Sequence, residues 1–233
     1  MRKSGLVSSL VVAIGLIAAT PAQGAVVLTF EGLKDLESVG DFYNGGTGGA
    51  GSVGADYGIQ FSSNSLALID VDAGGSGNTA NEPSGETTLV FLSGGAAIMN
   101  VAAGFDTGFS FLYAAPFFPG TVNVFDGLNG TGNILATLTL DINGNGCGGD
   151  PNGDYNCWSP VGVSFAGIAY SVGFGGTENF IVYDDITLGS ATPGEGGAVP
   201  EPATWAMMLL GFGATGFALR RYRRRRAPAL SRA

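Results

Sequence analysis

The chain has 233 residues, 41 of them glycine, with 45% hydrophobic and 12% charged side chains; this suits one medium domain and excludes a disordered polyampholyte. It contains no histidine, which excludes a Ser–His–Asp triad, a Cys–His dyad and His-ligated zinc. Residues 25–199 hold 18 acids against one base, Lys34, a net −17 that repels phosphate backbones and argues against nucleic-acid binding.

The chain opens MRKSGLVSSLVVAIGLIAATPAQGA. Arg2 and Lys3 form a basic start, Leu6–Ala19 an apolar stretch, and Ala22 and Gly24 the small residues of a cleavage site. Residues 1–24 therefore read as a secretory signal helix, cut after Gly24 or Ala25.

Eleven short apolar, β-branched or aromatic runs follow, separated by Gly/Asn/Asp turns. They lie at 25–31, 57–62, 66–71, 87–92, 97–101, 106–113, 120–126, 133–140, 161–165, 168–174 and 180–188. No amphipathic helix interrupts them beyond a turn near Leu33–Tyr43. The fold class is all-β, an antiparallel, jelly-roll-like β-sandwich over residues 25–192. Residues 125–135, FDGLNGTGNIL, read as strand, turn and strand. Within them Asn129-Gly130-Thr131 is a glycosylation sequon by pattern and a turn by composition.

Several residues carry candidate chemistry. Glu31 ends the first run and Asp184-Asp185 lie in the last. In jelly-roll binding modules these strands neighbour each other and hold a structural ion, so the three form one candidate calcium site. Asp141-Ile142-Asn143-Gly144-Asn145-Gly146 opens like a calcium loop, making Asp141, Asn143 and Asn145 a second; a solvated turn is the plainer reading, since Asn152 stands where a bidentate Glu belongs. Cys147 and Cys157 in an exported chain point to a disulfide closing an 11-residue loop. LYAAPFFPG presents Tyr113, Phe117 and Phe118, and Trp158 follows Cys157; these rings either stack on sugars or fold onto the core. The G-x-G-x-x-G at 46–51 neither follows a strand nor opens a helix, so it is a flexible loop rather than a dinucleotide site. Paired carboxylates for glycoside hydrolysis need no histidine, yet nothing in the spacing selects a pair.

A Gly-rich linker, 193–199, precedes VPEPATWAMMLLGFGATGFALRRYRRRR. As a helix, residues 204–219 reach about 24 Å, short of the roughly 30 Å hydrocarbon core, with arginines able to snorkel. The Arg block stays cytoplasmic by the positive-inside bias. Pro200, Glu201, Pro202, Trp205 and Ala206, followed by a Gly-containing apolar helix and an Arg cluster to residue 226, resemble the PEPxxWA variant of the PEP-CTERM sorting signal, with 227–233 as a tail. The body resembles, more loosely, the β-rich bodies of such proteins, through FEG, YGIQFS, GFDTGFSF and YDDITLG.

The resemblance implies a Gram-negative bacterial protein processed by exosortase, transiently anchored through 204–219, and associated with the cell surface and exopolysaccharide. The resulting expectation is a non-enzymatic structural or adhesive protein of the surface or matrix. The alternatives are a calcium-dependent carbohydrate-binding module and a carboxylate-based glycosidase; calcium is the one candidate cofactor.

Overall fold

The computed structural model describes residues 25–149 and 153–195, and residue 220. Among them eleven strands form two antiparallel sheets: β1 Val26–Leu28, β2 Ile59–Phe61, β3 Ser65–Ile69, β4 Thr87–Phe91, β5 Ala96–Phe105, β6 Gly108–Ala114, β7 Gly120–Phe125, β8 Ile134–Leu140, β9 Ser159–Ser164, β10 Ala169–Gly176 and β11 Val182–Leu188. Each run read from the sequence holds a strand, and the fold is an antiparallel β-sandwich. The largest extension is β5, which continues to Phe105. The signal segment and sorting helix lie outside the described residues.

The first sheet has the order β3-β4-β11-β6-β9, and the second β2-β5-β10-β7-β8. Strand β11 is central. One side pairs with β6, while the other pairs with β4 at Tyr183 and then with β1 from Ile186 to Leu188. Pro160 is tolerated because β9 lies at the sheet edge. The opposite edge, β3, is covered by the turns at 33–43: Leu36 N donates to Ala67 O and Val39 N to Ser65 O.

Alternation places one face of each sheet in a shared core. Phe174 of β10 meets Phe109, Phe111 and Tyr183 of the first sheet at centroid distances of 6.1, 5.9 and 5.1 Å. A smaller cluster lies around Val90, Ala114 and Val182, with Tyr155 and Trp158 packed on it. The segment that follows the Cys147 loop is thereby fastened to the first sheet.

Glu37 organises the Gly-rich stretch at 45–52. Its carboxylate accepts from Lys34 N, Ala50 N, Ser52 N and Ser52 Oγ. Within 46–51, read from sequence as a flexible loop, Ala50 N is held by this buried acid and the amides of Gly46, Gly48, Gly49 and Gly51 by backbone carbonyls.

Candidate functional site

The connection from β3 to β4 carries four acids, Asp70, Asp72, Glu82 and Glu86, of which the first and the last two converge. Asp70 follows the last residue of β3, and its backbone N donates to Glu86 O at 3.0 Å. The chain turns back at once, with Gly75 N donating to Asp70 O and Gly77 N to Ile69 O. A Cβ at Gly75 would collide with the Ile69 carbonyl, so the turn needs a glycine there.

The next stretch is held by the disulfide loop, in which Cys147 and Cys157 are bonded. Tyr155 N donates to Asn78 O, and Asn81 Nδ2 to Gly148 O and Asn156 O. Trp158 Nε1 donates to Ala80 O at 3.0 Å. Residues 84–87 are fastened from the other side. Ser84 N donates to Asp184 Oδ2, while Glu86 N and Thr87 N donate to Glu31 Oε1.

Between these two anchorages the oxygens of Asp70, Glu82 and Glu86 come within 4.8 Å of one another. At an effective dielectric of about 20, unit charges that close repel by roughly 3–4 kcal/mol per pair. Asp70 is 3% exposed and its Oδ1 has no hydrogen-bond partner. Glu82 Oε1 is likewise buried and unpartnered, and Thr79 is a neighbour of Glu82. Burial pushes the Glu82 carboxyl above its usual range, and the nearby acids Asp70 and Glu86 add to this against the opposing Thr79 hydroxyl.

The sites expected from sequence are arranged differently. Glu31 and Asp184 both serve the 84–87 segment. The Asp184 carboxyl also accepts from Asp185 N and is pushed up to about 8, chiefly by burial. Asp185 adopts a φ of 49° at a register shift between β11 and β6. Among the described residues, the one group of three convergent carboxylates is Asp70, Glu82 and Glu86; Glu31, Asp184 and Asp185 do not form another.

In the 141–146 loop, Asn143 is a structural clamp: its Oδ1 accepts from Ala115 N, and its Nδ2 donates to Tyr113 O and Ser159 Oγ. Asn145 Nδ2 donates to Asp154 Oδ1, and Asp141 O accepts from Tyr113 Oη. These bonds occupy the Asn143 side chain, and residues 150–152, which would complete a calcium loop, lie outside the described residues.

Of the rings, Tyr113 is buried against Phe111 and unavailable to a sugar. Trp158 is half-buried on the first sheet. Phe117 and Phe118 are partly exposed, with their edges on Phe180. The outer face of the second sheet holds an open groove of about 570 Å³. Its floor includes Gly173 and Gly175, and Asn123, Phe125 and Asn129 are among its walls.

Pro200, Glu201, Pro202, Trp205 and Ala206 lie outside the described residues. Residues 198–225 match the family model of the PEP-CTERM protein-sorting motif. The chain carries a PEP-CTERM sorting signal. The PEP-CTERM motif implies export, exosortase as the processing partner, and a place at the cell surface or outside the cell.

No curated protein matches the chain. Among solved structures, it is similar to a glycoside hydrolase family 43 arabinoxylan arabinofuranohydrolase from Bacillus subtilis, at 15% identity and a TM-score of 0.34, over 55% of this chain and 25% of that one. The chain thus spans about a quarter of that enzyme's length. It is also similar to the K3 cleaved adhesin domain of Lys-gingipain from Porphyromonas gingivalis w83, at 15% identity and a TM-score of 0.26, over 71% and 91% of the two chains.

Proposed function

We propose that this protein is a non-enzymatic structural or adhesive component of the cell surface or exopolysaccharide matrix, delivered there by exosortase. The PEP-CTERM motif at 198–225 carries the reading. A disulfide-bonded sandwich of high negative charge suits a component that works outside the cell. The lack of histidine and the bonding of both cysteines to each other count against His- and Cys-based catalysis.

Mass spectrometry of the mature C-terminus, in cells with and without exosortase, tests the delivery. The expected mature chain ends near Pro200-Glu201-Pro202 when exosortase is present. A chain still ending at Ala233 in both strains overturns it. Deleting the gene is expected to weaken matrix cohesion or surface attachment; unchanged cohesion and attachment count against the structural role.

The groove on the second sheet supports a second reading, glycan binding, because the Phe125 ring and the Asn123 amide both line it. Glycan arrays probed with wild-type protein and Phe125→Ala decide it. Binding lost in the variant favours this reading, and no binding by wild type removes it.

A further inference from the structure

We propose that Asp70, Glu82 and Glu86 form a calcium site that fastens the long β3–β4 connection. The three acids come from the end of β3, from the stretch held by the disulfide loop, and from the residue before β4. They are not neighbours in sequence, and the fold brings their oxygens within 4.8 Å. An ion with Ca–O distances of 2.3–2.6 Å spans that separation.

The second observation is independent of the clustering of charge. Asp70 is almost fully buried, one of its carboxylate oxygens lies in the cluster, and its Oδ1 has no hydrogen-bond donor. Glu82 Oε1 is also buried and without a partner. Buried polar atoms are ordinarily satisfied, and an orphan of this kind marks the place of an ion or water. Among the described residues no protein cation fills the place. Lys34 is the one basic residue from 25 to 199, and its Nζ donates to Ala50 O at 2.6 Å.

The donor set selects the metal. It is all oxygen and carboxylate-rich, with no imidazole in the chain and both cysteines bonded to each other. That suits a hard cation rather than zinc or copper. Carboxylates from three separate stretches of chain suit the loose geometry of calcium better than the strict octahedron of magnesium. Calcium modules outside cells bind at about 10⁻⁴–10⁻³ M.

The test is thermal unfolding of the full chain in detergent after EDTA treatment, with calcium chloride or magnesium chloride added at matched ionic strength. Calcium is expected to raise Tm by about 5–10 °C at a hundredfold excess over Kd, and magnesium to raise it much less. Glu82→Gln is expected to lose the calcium shift while its metal-free Tm equals or exceeds wild type, because repulsion is relieved. Glu86→Gln, at an exposed position, is expected to lose at least half the shift. Glu178→Gln, an exposed acid outside the cluster, is expected to keep it.

No calcium shift in wild type overturns the proposal. So does an equal shift with magnesium, which is screening of a charged surface, or a full shift retained in both cluster variants. If Glu82→Gln does not fold, Glu86→Gln decides.

Discussion

Glu37 and Asp184 are two buried carboxylates that the fold treats in opposite ways. Burial alone would raise the Glu37 carboxyl, but hydrogen bonds from Ser52 Oγ and from the amides of Lys34, Ser52 and Ala50 outweigh it and hold it at about 2. The folded state thus binds this proton more weakly than the unfolded chain. The stability it contributes is complete above the ordinary value of 4.5 and is lost as pH falls towards about 2. Glu37→Gln is expected to lower Tm at neutral pH, and to lose less Tm than wild type between about pH 5 and 3. Asp184 has the reverse sign. Its folded carboxyl keeps its proton up to about 8 against an ordinary 3.8, so its contribution is complete below 3.8 and lost as pH rises through about 8. Asp184→Asn keeps an acceptor for Ser84 and is expected to flatten the loss of Tm between about pH 5 and 8. Melting curves across pH check both. Neither shift was legible in the sequence, because the donors to Glu37 lie as far away as residue 52 and Ser84 lies 100 residues from Asp184.

At the scale of elements, the disulfide loop is a strut. It closes an 11-residue loop, for which the chain-entropy estimate is about 3 kcal/mol, and its backbone also pairs with residues 78–81. Replacing both cysteines by serine is expected to lower unfolding free energy by about 3 kcal/mol in denaturant titration. It is also expected to increase amide exchange at 78–82, which a purely local loop would leave unchanged. Phe174→Ala, which empties the space between the sheets, is expected to cost roughly 3–5 kcal/mol. The strands were legible because most are short apolar runs bounded by Gly, Asn, Asp or Pro, as in β7, the turn at 126–133 and β8. Their sheet order was not, since the split partnership of β11 with β4 and β1 depends on distant contacts. The acidic trio was missed for the same reason. Asp70, Glu82 and Glu86 follow no loop spacing, whereas the 141–146 stretch has a loop's spacing and spends Asn143 on Ala115 and Tyr113.

For the whole molecule, charge dominates. With 18 acids and one lysine between residues 25 and 199, the folded body repels itself more than the expanded chain does. Raising sodium chloride from about 0.01 to 0.15 M shortens the screening length from about 30 to 8 Å. Tm is expected to rise over that range; a fall would show that attractive pairs prevail. This charge and the C-terminal sorting motif were plain in the sequence, because they rest on composition and contiguous order rather than on contacts across the fold.

The pairing of β1 with β11 has a topological consequence. Val26 lies opposite Leu188, and Gly189 approaches Ala25, so the sandwich takes in and releases its chain at one pole. A polypeptide tethered to one bilayer at both extremities is a closed loop, and a body with distant ends would have to stretch its leashes to fold. Were both ends held at the membrane, the side-by-side pairing of β1 and β11 would let the described body fold without stretching either tether.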